Sequence, residues 1–281
     1  AGDDVHGQIL EGKFYAPYSL ASIEDAQVKS TVEKLYGVSS KLDAPSILPA
    51  DTFAFFSISG VSYLVETSVM LLDPKAKQDY NQQKQMISMF TGLDLETDIL
   101  PLFSEELTIA GEVAGGQVEP MIVLTKRPES VNVLNKLVKT LAGMDPTTSV
   151  SEKDVNGSKF SIISTSAAPF KVGFGEIAEV VALGKENTLE TLSAASGDKS
   201  KSLLGSSLYQ DMSKYVPKQV AMAMYINFDK FVEAAKIMKQ SEEQIKELEE
   251  LSKNFSAVFV SAGNKDNKAI EGSLLLQFKK K

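Results

Sequence analysis

Val220-Ala-Met-Ala-Met-Tyr-Ile-Asn-Phe228 decides the fold. Val220, Met222, Met224, Ile226 and Phe228 recur at every second position, the period of a strand with one face toward a core. Val216-Pro217-Lys-Gln leads into this strand as Leu48-Pro49-Ala-Asp leads into Phe53-Ala-Phe-Phe-Ser-Ile-Ser59, which is aromatic and β-branched and also reads as a strand. A helical pattern follows each. After the first, residues 61–91 carry the stripe Leu64, Val65, Leu71, Leu72, then Tyr80, Met86, Ile87 and Phe90, with Asp73-Pro74 as an interruption. After the second, Phe231, Ala234, Ala235, Met238, Ile245, Leu248 and Leu251 mark one amphipathic helix to about Lys253. Each half then reads as a hairpin. Leu107, Ile109, Gly111 and Val113 alternate before Gly115-Gly116 and a return strand from Pro120, while residues 257–262 and 270–278 flank the turn at residues 264–268.

Outward from these two units, Ser130 to Leu141 is helical, with Val131, Leu134, Leu137, Val138 and Leu141 on one face. Asn156-Gly157 predicts a type I′ hairpin between residues 149–155 and 159–165, because both turn residues accept positive φ. A further hairpin over residues 170–183 and two short helices, 188–195 and 207–215, complete the middle. Near the start, Ser22-Ile-Glu-Asp25 resembles a capping box, and Val28, Val32 and Leu35 continue it as a helix to Gly37. Residues 1–20 read as a mobile N-terminal arm and 21–281 as a single α+β domain, in which 45–185 and 215–281 form a possible internal repeat. The expected architecture is a large, mainly antiparallel sheet with long helices packed on it, in two related halves.

Composition narrows the chemistry. Among 281 residues there is no cysteine and no tryptophan, one histidine (His6) and one arginine (Arg127), with a net charge of -8. A thiol nucleophile or thiolate metal site is therefore excluded, and a neutral-pH base is scarce. An acidic chain with a single guanidinium is a poor nucleic-acid binder, so no nucleic-acid partner is expected. The longest apolar stretches fall short of the roughly 18–20 residues of a spanning helix, so no transmembrane segment is expected. No cofactor is indicated. Chain start Ala1-Gly2-Asp3-Asp4, without methionine, fits a trimmed precursor, and a cysteine-free chain suits an oxidising compartment. Both favour an extracytoplasmic location, periplasm or cell surface.

Several motifs carry a likeness. Leu48-Pro-Ala-Asp-Thr52, Asp94-x-x-x-Asp98-Ile-Leu-Pro, the strand from Glu106 to Val113, and Ala182-Leu-Gly-Lys-Glu-Asn-Thr188 followed by Ser202-Leu-Leu-Gly-Ser-Ser-Leu-Tyr209 resemble a bacterial extracytoplasmic family of unknown function. The resemblance runs from about residue 45 to the end. It implies an extracytoplasmic α+β protein, exported or membrane-anchored, with no assigned activity and no catalytic residues to carry over.

Two candidate sites stand against structural alternatives. Asp94, Glu96, Asp98 and Glu105 fall at positions one, three, five and twelve of the calcium-loop template, but Ile99 stands where that loop needs glycine. Asp94 is more simply read as a helix N-cap. Met222, Met224, Phe228, Phe231 and Met238 would line a contact between a strand and its helix, where flexible thioethers suit an apolar ligand as well as a core. Carboxylate catalysis by Glu105 with Glu106 or Glu112 is the remaining histidine-free chemistry, yet neighbours on a strand face opposite ways. The expectation is thus a non-enzymatic binding or structural protein that engages another envelope protein or self-associates through its sheet edges. An alternative is a carrier of an apolar, lipid-like ligand between sheet and helices, and a carboxylate hydrolase comes third.

Overall fold

The computed structural model describes residues 8–10, 13–19, 38, 40–127, 129–166, 168–265 and 269–279. Among these residues twelve strands are found: β1 (Gln8–Leu10), β2 (Lys13–Ser19), β3 (Thr52–Ser59), β4 (Glu106–Ala114), β5 (Gln117–Thr125), β6 (Thr148–Val155), β7 (Ser158–Thr165), β8 (Val172–Ile177), β9 (Val180–Lys185), β10 (Met222–Asn227), β11 (Phe255–Lys265) and β12 (Ala269–Phe278). They form one sheet in the order β1-β2-β12-β11-β10-β3-β4-β5-β9-β8-β7-β6, and every neighbouring pair is antiparallel. The fold is α+β. The two strands read as equivalent in sequence, β3 and β10, meet at the centre with Met224 opposite Phe56. From that pair each unit runs outward through its own hairpin, β4-β5 on one side and β11-β12 on the other.

Turn chemistry sets these hairpins. Gly115 and Gly116 have φ of 58° and 74°, and Asn156 and Gly157 have 53° and 82°, the left-handed pairs that a two-residue connection between twisted strands requires. Among the described residues seven α-helices accompany the sheet: α1 (Val61–Leu71), α2 (Pro74–Thr91), α3 (Ser130–Met144), α4 (Glu186–Gly197), α5 (Ser207–Ser213), α6 (Phe228–Ile237) and α7 (Glu242–Asn254). Asp73 caps α2 by accepting from the Ala76 amide, with Pro74 at the first helical position.

The main core lies on one face of the sheet, and a smaller cluster of Leu93, Leu102 and Val133 gathers against α3. Phe55, Tyr225 and Phe259 from three adjacent strands meet Tyr209 of α5, with ring centroids 5.5–6.3 Å apart. Ile47, Leu48, Leu189, Leu192, Leu203 and Met212 close over the same cluster. Two backbone bonds tie this cover together, Leu203 N–H to Leu48 O at 2.7 Å and Ala50 N–H to Lys201 O at 2.8 Å. Close packing reaches the backbone at Gly173, where a Cβ would stand 2.6 Å from the Ser161 carbonyl oxygen. Gly173→Ala is expected to cost about 2 kcal/mol in urea unfolding, as overpacking does. Gly143→Ala, in an open helical position with nothing within 4 Å, should be neutral or stabilising.

Three expectations change. The span from Phe231 to Lys253 is two helices, because Lys239 adopts φ 56° and Ser241 starts α7 with a capping box to Gln244. Phe228 is the first residue of α6 and not a strand residue. In the stretch read as an arm, residues 8–10 and 13–19 are strands, and β2 pairs with β12 from Lys13 opposite Gln277 to Ser19 opposite Glu271. The helix expected over residues 22–37 lies outside the described residues.

Candidate functional site

Alternation gives each central strand two faces. On β10, Ala223 and Tyr225 enter the core, whereas Met222, Met224 and Ile226 turn to the other side and stay half-buried. Register carries that second face across the sheet: Met224 lies opposite Phe56, Phe56 opposite Ile109 and Ile109 opposite Ile122. Phe56, Ile109 and Ile122 are 40%, 52% and 37% exposed. Val258 and Val260 of β11 and Leu274 and Leu276 of β12 continue the row beyond β10. Six strands thus present a continuous apolar surface, roughly 24 Å wide at the usual strand spacing. A sheet face turned to water is ordinarily polar, so this one is out of keeping with solvent alone.

A groove of about 300 Å³ is cut into this surface over β10, β3, β4 and β5. Ala54, Phe56, Ile109, Gly111, Pro120 and Met224 are among its walls, and no charged side chain lines it. Gly111 makes the depth, since a Cβ there would stand 2.6 Å from the Phe53 ring. Its volume is at the lower end of small-ligand sites.

Of the five residues proposed for an apolar site, Met222 and Met224 lie on this face, and only Met224 is among the residues that line the groove. Phe228 packs beside Phe255, ring centroids 6.4 Å apart, and Phe231 beside Phe53 at 5.7 Å. Met238 ends α6 with 45% of its surface exposed, at the helix break. The five are therefore not gathered at one contact: Met224 lines the groove, Phe231 reaches only its wall at Phe53, and Phe56, Ile109 and Ile122 make up the rest of the open face. Their alternation was legible in β3, β4 and β5, but nothing in it tells which face is left open.

The acidic set Asp94, Glu96, Asp98 and Glu105 does not converge. Asp94 Oδ1 accepts from the amides of Glu96 and Thr97, which holds its carboxyl below the usual range. Asp98 accepts from Asp94 N–H at 2.8 Å, Glu96 pairs with Lys84, and Glu105 is exposed. Among the described residues no group of three or more acidic or histidine side chains is placed to hold a metal. The calcium-loop reading fails here because the segment winds into a helical turn, residues 95–99, that consumes its carboxylates as caps.

Glu105 and Glu106 face apart, as neighbours on a strand do. Glu106 is buried, and its carboxylate accepts from Asp43 N–H at 2.8 Å, Ala44 N–H at 3.3 Å, Thr108 Oγ1 at 2.7 Å and Ser57 Oγ at 3.3 Å. Burial nonetheless pushes its carboxyl above the ordinary range, against the pull of those bonds. Its work is to pin residues 43–44 onto the sheet.

A second buried acid, Glu112, is one of a pair that its own alternation in the sequence does not reveal. Glu112 and Glu119 stand directly opposite across β4 and β5, each 3% exposed, with Thr52 opposite Glu112 on the other side. Lys185 Nζ lies 2.9 Å from Glu119 Oε2, off the line of a hydrogen bond, whereas Glu112 Oε1 and Thr52 Oγ1 have no hydrogen-bond partner among the described residues. Burial first, then Asp51 and Glu119, push the Glu112 carboxyl up to about 7. The pairing was countable from the sequence, because a two-residue turn at 115–116 places 112 opposite 119.

Fold and site together define an antiparallel α+β protein whose sheet is packed on one face, while the other face is covered by α3 over β6–β8, where Asn135 meets Ser161 at 2.7 Å, and is apolar and open over its central strands. The chain belongs to the family described as "Protein of unknown function (DUF3352)", whose model matches residues 23–278. No curated protein matches. A solved structure entitled "Structure of crystal form III of TP0453" is similar over 85% of this chain and 81% of that one, at 10% identity and a TM-score of 0.37. Among the described residues no helix is long and apolar enough to cross a membrane.

Proposed function

We propose that the protein is a non-enzymatic binder of extended apolar molecules, of the acyl-chain kind, held along the open face of β10, β3, β4 and β5. The observation that carries this reading is the row Met224, Phe56, Ile109, Ile122, apolar across four strands and left in water. A guest that covered it would bury area worth roughly 25 cal/mol per Å². With no charge in the groove, a polar head would remain outside, in solvent. Capture of this kind asks nothing of nucleophiles or bases, which suits a chain with one histidine, no cysteine, and its Glu106 carboxylate engaged in backbone and hydroxyl bonds. Absence of cysteine also supports placing the protein outside the cytoplasm.

Association through sheet edges has less behind it. On one side β2 already covers β12. On the other, β6 carries Glu152, Lys153 and Asp154, charges of the kind that keep an edge from pairing. Titration with the uncharged fluorescent probe N-phenyl-1-naphthylamine tests the main reading. Wild type should bind with one saturable site, and Ile109→Glu, a half-exposed position where the charge can reach water, should weaken binding at least tenfold while circular dichroism stays unchanged. Equal binding by the two proteins would refute the groove as the site.

A further inference from the structure

We propose that Glu112 carries a proton against the charge of Glu119 behind the groove, and that loss of this proton loosens the strand ends which form the groove, so that an apolar guest is held on the acid side of neutral and released on the alkaline side. This rests on the reading of the groove as a binding site and adds its regulation. The geometry is a direct adjacency. Thr52, Glu112 and Glu119 are opposed in one row across β3, β4 and β5, and each is the chain neighbour of a groove residue: Phe53, Gly111 and Pro120. Displacement of either acid therefore moves backbone that the groove is built from. At this row β3 is also irregular, its register shifting between Thr52 and Ala54, which offers a place to yield.

Among the described residues, the charges around the row leave Glu112 as the acid without a cation of its own. Asp51 is paired with Lys230 of α6 at 2.9 Å. Glu119 has Lys185 at 2.9 Å and, more distantly, the Asn187 amide nitrogen at 3.5 Å. Helix α6, which packs against β3, β4 and β5, brings Asp229, Lys230, Glu233 and Lys236. Asp229 pairs with Lys279, Lys236 with Glu249, and Glu233 lies near the already paired Lys230. An ionised Glu112 would thus face two acids with an unpartnered oxygen, a cost that opening toward water relieves. Its carboxyl, raised to about 7, puts the transition within the neutral range.

The sign follows. An acid whose folded pKa is raised favours the closed state below that pKa and ceases to do so as pH rises through it. N-phenyl-1-naphthylamine, which carries no charge across this range, should bind the full chain at least fivefold more weakly at pH 8.5 than at pH 5.5. Glu112→Gln should bind equally at both, and Glu119→Gln, which removes the opposing charge, should move the midpoint to lower pH. A pH-independent wild type, or an unchanged pH dependence in Glu112→Gln, would overturn the inference and leave the groove reading intact. If the probe binds at neither pH, the groove reading fails, and hydrogen exchange over residues 110–121 decides the rest. Protection lost at pH 8.5 in wild type and kept in Glu112→Gln supports loosening; protection equal in both overturns it.

Discussion

Phe55→Ala is expected to cost about 4 kcal/mol, the range for a buried aromatic cut back to a methyl group. Phe55 is 2% exposed and its ring touches those of Tyr209, Tyr225 and Phe259, so the cavity would open where both halves of the sheet meet their cover. For a chain of this size the loss amounts to a fall of about 10 °C in Tm by calorimetry. Phe56→Ala is the paired control. The same residue type one position along points to the open face and is 40% exposed, so truncation there should change stability by less than about 1 kcal/mol. Equal losses at the two positions would mean that the packed and open faces have been assigned wrongly.

Glu106→Ala is expected to cost about 3 kcal/mol, because the Asp43 and Ala44 amides and the Thr108 hydroxyl lose a shared acceptor inside the protein. Glu106→Gln keeps an acceptor oxygen and should cost distinctly less. Burial raises the Glu106 carboxyl, so its favourable share of stability is greatest at low pH and declines as pH rises through its folded value. The gap between wild type and Glu106→Gln should therefore narrow from pH 5 to pH 8 in urea titrations. A gap that widened with pH would show that the hydrogen bonds outweigh burial at this site.

Much of the architecture was written in local pattern. The period-two runs at 53–59, 107–113 and 220–226, the Gly115-Gly116 and Asn156-Gly157 turns and the Asp73-Pro74 break all appear where their chemistry puts them. What could not be read was the choice of face. In β10 both faces are apolar, Ala223 and Tyr225 on one and Met222, Met224 and Ile226 on the other, and only the cover from 47–51 and 189–212 makes the first the core. Longer periodicity misled. The stripe from Phe231 to Leu251 continues in phase across Lys239 to Ser241, although Ser241 and Gln244 already spelled a capping box. Acid pairs were legible only by counting register from a turn, which relates Glu112 to Glu119, whereas the spacing of Asp94, Glu96 and Asp98 reflected a helical turn and its caps.

The central claim is that the open face of the sheet holds an apolar molecule. A photoactivatable fatty acid with a diazirine in mid-chain, cross-linked to the full chain and mapped by peptide mass spectrometry, tests it directly. Adducts confined to residues 54–58, 107–113, 118–124 and 222–226, and lost when unlabelled fatty acid is in excess, are the predicted result. Adducts spread over the molecule, or concentrated away from these four strands, would contradict it.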